Sequence, residues 1–157
     1  MIFPFSDAED GMMQITFIVD GPAVPKQRPR IHGRQAYTPK KTRDYEERVR
    51  RAFCSSYDGD LPVFPKDTPV SAYIEVIQAI PKSWSNSKHL KAVKGEIAPV
   101  TRNGDLDNIA KSILDALNGY AYEDDSQVTR LYIGKRYGSD PYALVILEED
   151  IRNRETL

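Results

Sequence analysis

The segment Gly104–Asp125 reads GDLDNIAKSILDALNGYAYEDD and contains the strongest pattern in this sequence. Apolar residues recur at helical spacing after its second aspartate, which predicts an amphipathic helix. These residues are Ile109, Ala110, Ile113, Ala116 and Leu117. Asn118-Gly119 follows them and is a typical stop signal for a helix. We therefore predict a strand–helix–strand unit in this part of the chain.

Carboxylates lie at both ends of the predicted helix. Asp105 and Asp107 stand at its start, and Asp124 and Asp125 follow it after a short aromatic run. A strand–helix–strand unit can bring Asp105, Asp107 and Asp125 together at the edge of a sheet. Unpaired carboxylates repel each other at close range, and a hard cation among them removes that repulsion. Because no His or Cys is nearby, the set predicts Mg²⁺ or Mn²⁺ rather than Zn²⁺.

Three polar residues of the helix stand four apart and line one side of it: Asp107, Lys111 and Asp115. Lys111 lies one turn from Asp107, where its charge could stabilise an anionic transition state or position a water. We expect Asp115 to pair with Lys111 or to be an ordinary surface residue. Asn108 is expected to cap the helix.

Taken together, these residues resemble the RusA family of Holliday junction resolvases. The resemblance rests on Asp105-Leu-Asp107-Asn108, Lys111, Leu114-Asp115-Ala116-Leu117 and Asp124-Asp125-Ser126-Gln127-Val128. It implies an α/β homodimer that cuts four-way DNA junctions with Mg²⁺ or Mn²⁺. Asp105, Asp107 and Asp125 would be its metal-binding acids and Lys111 its catalytic lysine. Asp124 would be a further metal ligand or a partner of one.

The resemblance also bears on basic residues outside this segment. Some members carry a basic residue directly before the first aspartate, where this chain has Gly104, and the nearest base is Arg102. Similar proteins keep a lysine near Lys135, which would place Lys135 close to the metal; an ordinary surface charge is the alternative. We expect both Arg102 and Lys135 to contact DNA.

Positive charge is concentrated early in the chain. The net charge is −1, but residues 26–51 contain ten Lys and Arg against three acids. Lys26, Arg28 and Arg30 fall on alternate positions, so an extended backbone would project them to one side. Gly33-Arg34 is typical of a turn tip. We interpret residues 24–37, including Arg34, as an arm that binds DNA phosphates, with a solvated basic loop as the alternative.

The rest of the chain predicts an α/β fold with one domain, in which helices pack on a mixed β-sheet. Predicted strands cover residues 14–19, 70–80, 128–137 and 142–147, and predicted helices cover 39–57 and 83–93. The helix at 39–57 should begin at Pro39 with Thr38 as its N-cap. The strand at 142–147 is continuously apolar, as is typical of a strand covered on both faces.

The length of 157 residues fits one domain. We expect a flexible N-terminal arm over residues 1–12, a nuclease domain over 13–150 and a charged tail over 151–157. No apolar run approaches the length of a membrane span, and the N-terminus lacks the pattern of a signal peptide. Cys54 is the only cysteine, so no internal disulfide is possible, which favours a cytoplasmic protein.

Two other functions fit the same residues. One is a divalent-metal nuclease that acts on flaps or other branched DNA. The other is a non-catalytic DNA-binding module whose acids serve structure alone. Branched DNA is the expected partner in the favoured interpretation, which is resolution of four-way junctions by paired symmetric nicks.

Overall fold

The computed structural model describes residues 12–100 and 104–152 of the chain. Most of the expected arm over residues 1–12 and of the expected tail over 151–157 lies outside this range, as does Arg102. The strands are β1 (Gln14–Asp20), β2 (Arg30–His32), β3 (Gln35–Tyr37), β4 (Val70–Ala79), β5 (Val128–Gly138) and β6 (Tyr142–Glu149). The helices are α1 (Lys40–Ser56), α2 (Asn86–Val93) and α3 (Leu106–Ala116), with a 3₁₀ turn at Asp125–Gln127.

Four of the strands form one mixed sheet in the order β1-β6-β4-β5. β4 pairs with β5 in parallel, whereas β6 runs antiparallel to both of its neighbours, β1 and β4. A parallel pair requires a long crossover, and here the crossover from β4 to β5 contains α2 and α3. The predicted α/β class with a mixed sheet is confirmed, and the crossover brings the acidic segment to the parallel edge of the sheet.

The core lies between one face of the sheet and the helices α1 and α3. β1 alternates between exposed and buried residues, and its inward side chains are Ile15, Phe17 and Val19. Tyr45, Val49 and Phe53 of α1 pack on this face, together with an apolar stripe from α3. That stripe consists of Ile109, Ala110, Ile113, Leu114 and Ala116. The helical periodicity in the sequence therefore predicts which side of α3 is buried.

The opposite face of the sheet is less covered than the sequence predicts. Ala143, Val145 and Leu147 of β6 are fully buried, but the alternate residues Tyr142, Leu144 and Ile146 are only half-buried. The prediction that this strand is covered on both faces is therefore wrong. The reason is that α1 and α3 both pack on the same side of the sheet.

Several element boundaries also differ from the predicted ones. α1 begins at Lys40 and not at Pro39, because Pro39 has an extended backbone (ψ 144°) and stands in the N-cap position itself. Its carbonyl accepts the first-turn N–H groups of Thr42 and Arg43. α2 begins at Asn86, where the Ser85 side chain accepts a hydrogen bond from the Lys88 N–H at 3.3 Å.

β2 and β3 form a separate hairpin, with Gly33-Arg34 as its two-residue turn. Gly33 has a positive φ of 63°, a conformation that glycine adopts at little cost. The predicted turn tip is confirmed, and all six strand residues of this hairpin are exposed. In the described part of the chain, no helix is both long and apolar enough to cross a membrane.

Candidate active site

The start of α3 presents two of the predicted acids. Asp105 occupies the N-cap position, yet its side chain makes no capping hydrogen bond. Asp107 lies in the first turn, and both residues are exposed. Asn108 is inside the helix and does not cap it, which corrects the expectation from sequence. The carboxylates of Asp105 and Asp107 are thus not used by the helix for capping.

The end of α3 folds back on itself and carries the chain toward the other acids. α3 ends at Ala116, and Gly119 turns the backbone with a φ of 80°. Three residues later the chain is anchored by Tyr122, which is fully buried and donates from its hydroxyl to the Leu114 carbonyl at 2.6 Å. Burial raises the pKa of the Tyr122 phenol, so it remains a donor. This anchor fixes where Asp124 and Asp125 emerge.

The 3₁₀ turn at Asp125–Gln127 is held by a reciprocal capping arrangement. Asp124 accepts a hydrogen bond from the Ser126 N–H at 3.0 Å, and the Gln127 side chain accepts one from the Glu123 N–H at 3.0 Å. Gln127 also donates to the carbonyls of Pro65 (2.9 Å) and Thr68 (3.1 Å) in the loop before β4. Hydrogen bonds from Ser126 hold the pKa of Asp124 below its usual range. Asp124 therefore has a structural role in this turn.

Asp125 faces the C-terminal half of α3, where it meets Asp115. Partial burial, a hydrogen bond with Asp115 and the negative charges of Asp115 and Asp124 all raise the pKa of Asp125. Lys111 acts in the opposite direction, and its Nζ atom lies 3.3 Å from Oδ1 of Asp115. The expected ion pair between Lys111 and Asp115 is confirmed. Two carboxylates and one lysine are thus gathered on the side of α3 predicted to be polar.

Lys26, predicted to bind DNA phosphates, lies against the same side of α3. Its Nζ atom forms ion pairs with Glu46 of α1 and with Oδ2 of Asp115, the latter at 3.3 Å. Burial lowers the pKa of Lys26, but the hydrogen bonds and charges of Glu46 and Asp115 outweigh it and the pKa is raised. Lys26 is therefore a charged residue with two acidic partners.

Lys135 on β5 contacts the other end of the site. It is half-buried, and its Nζ donates to the carbonyl of Gly104 at 3.0 Å, directly before Asp105. This contact attaches the start of α3 to the edge strand of the sheet. The structure thus places Lys135 beside the residue that precedes the first aspartate. Its contact with DNA stays a prediction.

The remaining basic residues of the predicted arm are exposed. Arg28 precedes the hairpin, Arg30 lies in β2 and Arg34 is at the turn. None of the three forms an ion pair with an acid in residues 12–100 or 104–152. They are available to an anionic ligand, and their role as DNA contacts stays a prediction.

The fit of this site to a metal depends on how many carboxylates converge. Among the described residues, no group of three or more His, Cys, Asp or Glu side chains is arranged to hold a metal ion. The predicted set of Asp105, Asp107 and Asp125 is thus not assembled as a closed cage. Mg²⁺, however, is usually held by one or two carboxylates together with substrate phosphates. Asp105 and Asp107 are exposed at the start of α3, so their carboxylates are accessible as such oxygen donors, and a nucleic-acid phosphate would complete the site.

This fold and this site define a class: a small α/β protein with acids at both ends of a helix beside a mixed sheet, and a basic hairpin next to them. The family model of endodeoxyribonuclease RusA matches residues 20–148. The chain therefore belongs to the RusA endodeoxyribonuclease family, as the sequence motifs predict. A family of nucleases that act on branched DNA is consistent with the arrangement of acids and bases described above.

One relative is the "Uncharacterized protein YqaN" of Bacillus subtilis (strain 168), which is 45% identical over 83 residues. The match covers 52% of this chain and 58% of the relative, so it spans only a little more than half of either protein.

Sequence reasoning missed the structural roles of two residues and one contact that build the site. Tyr122 anchors the turn, and Gln127 ties it to the loop before β4. Asp115 was predicted to pair with Lys111, but its approach to Asp125 was not predicted. No local pattern indicates that Tyr122 or Gln127 reaches partners 8 and 59 to 63 residues away in sequence.

Proposed function

We propose that this protein is a divalent-metal-dependent endodeoxyribonuclease that resolves four-way DNA junctions by paired symmetric nicks. The observation that carries the proposal is that Lys111 and Asp125 both contact Asp115, on the helix whose start presents the exposed Asp105 and Asp107. Membership of the RusA family supports the substrate class, and the exposed basic hairpin supports binding to a polyanion.

Each residue has a proposed role in phosphodiester hydrolysis. Asp105, Asp107 and Asp125 would hold Mg²⁺ or Mn²⁺, with Asp124 as a further ligand or a support for Asp125. The metal, when bound, would polarise the phosphate and lower the pKa of a coordinated water. Lys111 would place positive charge beside the phosphate as negative charge develops. Asp115 would keep Lys111 and Asp125 in one arrangement.

DNA binding is assigned to the basic residues around these acids. Arg28, Arg30 and Arg34 would contact phosphates of one duplex arm, since side chains on an exposed hairpin can follow a backbone. Arg102 and Lys135 would contact DNA nearer the acids. Lys26 belongs to this set by sequence, although its side chain is already paired with Glu46 and Asp115.

A junction has two strands to cut symmetrically, so we propose a homodimer with one active site in each chain. Symmetric nicking of a two-fold substrate is most simply achieved by two chains related by a two-fold axis. Sedimentation equilibrium at micromolar concentration is the measurement. A monomer that still cuts both strands in one binding event would contradict the homodimer.

A nicking assay with end-labelled four-way, flap and linear duplex DNA tests the proposed function. The proposal predicts Mg²⁺-dependent cleavage of the four-way junction at symmetric positions, with the linear duplex left intact. Preference for the flap would instead identify a nuclease for other branched DNA. Tight junction binding without cleavage, in Mg²⁺ and in Mn²⁺, would identify a non-catalytic DNA-binding module.

A further inference from the structure

Lys26 lies where three parts of the protein meet. Its backbone N–H donates to the Asn108 carbonyl in α3 at 2.9 Å. Its ammonium pairs with Glu46 of α1 and, at 3.3 Å, with Asp115 of α3. The next residue, Gln27, donates its N–H to the Thr42 hydroxyl at 3.3 Å. The chain is therefore attached to both helices immediately before it enters the basic hairpin.

The surroundings of Lys26 differ from those of an ordinary surface lysine. The side chains of Lys26, Glu46 and Asp115 are 22%, 14% and 21% exposed. The pair of Lys40 with Asp44 on α1 is a useful contrast, because those side chains are 80% and 59% exposed. Partly buried charge pairs are screened by solvent much less than exposed pairs. Because two carboxylates already neutralise the positive charge of Lys26, we expect it to attract a phosphate only weakly.

The second oxygen of Asp115 extends this contact to the candidate catalytic lysine. Oδ2 of Asp115 faces Lys26, while Oδ1 lies 3.3 Å from Nζ of Lys111. One carboxylate thus joins the base of the DNA-binding hairpin to Lys111. Asp115 is also the neighbour of Asp125. Any displacement of Asp115 would move the groups proposed to act on the scissile phosphate.

We infer that Lys26 is a positioning residue and not a phosphate contact: through Asp115 it holds Lys111 and Asp125 in place and attaches the hairpin to α3. The expected effect of Lys26 on cleavage rests on the proposed nuclease function. The expected effect of Lys26 on the structure of the free protein does not. In the free protein, Lys26 holds the segment before the hairpin against α1 and α3.

The cleavage test compares Lys26→Met with wild type on a four-way junction in Mg²⁺. We expect single-turnover cleavage at saturating protein to fall by about 10- to 100-fold, because small misplacements of catalytic groups have effects of this size. Junction affinity should change by less than about threefold, and the salt dependence of binding should be unchanged. A lost phosphate contact would instead reduce the magnitude of the slope of log K against log salt by about 0.9. Lys26→Arg should recover most of the activity, because it keeps the charge between Glu46 and Asp115.

Lys40→Met is the matched control, since it removes an exposed, ion-paired lysine from the same part of the protein. It should cut and bind as wild type does. If Lys26→Met instead cuts normally at saturation but binds more weakly with a reduced salt slope, Lys26 is a phosphate contact and the inference is wrong. Wild-type behaviour of Lys26→Met in both assays would also overturn it.

Hydrogen exchange of the DNA-free proteins separates this inference from the proposed function. Lys26→Met should exchange the amides of residues 26–37 faster than wild type does, while β4 and β6 keep their protection. This result is expected even if the wild-type protein cuts no DNA. Unchanged exchange at these amides would mean that Lys26 does not hold the hairpin. If Lys26→Met does not fold, Lys26→Gln replaces it in both measurements with the same expected results.

Discussion

The Nζ atom of Lys135 lies 3.0 Å from the carbonyl oxygen of Gly104, so the edge strand β5 is attached to the residue that precedes Asp105. The contact connects a side chain of the edge strand with the beginning of the acidic helix. A charged donor bonded to the carbonyl of a buried residue fixes the position of that backbone more firmly than solvent would. The start of α3 is thus set by the sheet as well as by its own sequence.

Replacing Lys135 with Met should remove this contact while keeping most of the apolar stem. We expect unfolding to require about 1 kcal/mol less free energy, which is typical of one hydrogen bond to a partly exposed group. Cleavage should slow by more than binding weakens, because Asp105 loses its fixed position. Urea denaturation and single-turnover cleavage are the measurements, with Lys40→Met as the control. Loss of affinity alone would show that Lys135 acts mainly on DNA.

Neutralising the hairpin should change the salt dependence of DNA binding. Arg28→Ala, Arg30→Ala and Arg34→Ala in one chain should weaken binding to junction and duplex alike. Each lost phosphate contact should reduce the magnitude of the negative slope of log K against log salt by about 0.9. Binding titrations between about 50 and 200 mM salt measure this slope. Arg51→Ala on α1 is the control, since it removes an exposed arginine paired with Glu47. An unchanged slope would place the DNA-binding surface elsewhere.

Removing the charge of Asp125 should stabilise the metal-free protein. Asp125 lies beside Asp115 and Asp124, whose negative charges raise its pKa, and Lys111 opposes this effect. Lys26 pairs with the Asp115 carboxylate and not with Asp125. In EDTA, Asp125→Asn should therefore melt at a higher temperature than wild type. Its free energy of unfolding should be larger by up to about 1 kcal/mol. Excess Mg²⁺ should raise the melting temperature of wild type by binding the folded state, and should raise that of the variant less. Asp140→Asn, on an exposed turn, should change neither value.

A lower melting temperature for Asp125→Asn in EDTA would contradict this prediction. It would show that the Asp125 carboxylate is held by favourable contacts and not strained by its neighbours. Equal effects of Mg²⁺ on both proteins would show in addition that Asp125 does not bind the ion.

Asp150 should make stability depend on pH near the end of the domain. It is 4% exposed and accepts hydrogen bonds from the Thr129 hydroxyl (2.7 Å) and from Arg152 Nε (3.0 Å). The hydrogen bonds from Arg152 hold the pKa of Asp150 well below its usual range, with a further contribution from Thr129. A lowered folded-state pKa stabilises the fold above the unfolded pKa of about 4, and that stabilisation is lost as the pH falls below it.

Asp150→Asn should therefore unfold with about 1 to 3 kcal/mol less free energy at pH 7, which is the range for hydrogen bonds to a charged group. The difference from wild type should shrink steadily below pH 4. Denaturation of both proteins between pH 3 and about 7 is the measurement. If the difference in free energy of unfolding between the two proteins stays constant over this range, packing and not the charge of Asp150 stabilises its contacts with Thr129 and Arg152.

The sequence predicted much of the fold because its local signals agree. The apolar stripe of α3, the alternation in β1 and the Gly33-Arg34 turn each depend on residues a few positions apart. The parts that were wrong or missed depend on distant partners. The sequence does not indicate that both helices cover one side of β6.

The same distinction applies to the candidate site. Helical spacing predicted that Lys111 and Asp115 pair, because the two residues are one turn apart. The sequence predicted a phosphate contact for Lys26 and not its ion pairs, because Glu46 and Asp115 are 20 and 89 positions away in sequence. The buried anchor Tyr122 was likewise read as part of an aromatic run, since its hydroxyl acceptor is known only from the folded chain.

Cleavage of a four-way junction by wild type, Asp107→Asn and Asp125→Asn, at saturating protein in Mg²⁺, tests the central claim most directly. Both variants replace a carboxylate by an isosteric amide, so they remove charge and leave the scaffold in place. We predict symmetric nicks by wild type and at least a 100-fold slower reaction by each variant, with junction affinity kept within about threefold, as expected for loss of metal-assisted chemistry. Near wild-type cleavage by both variants would contradict the claim that the acids at the two ends of α3 form the active site.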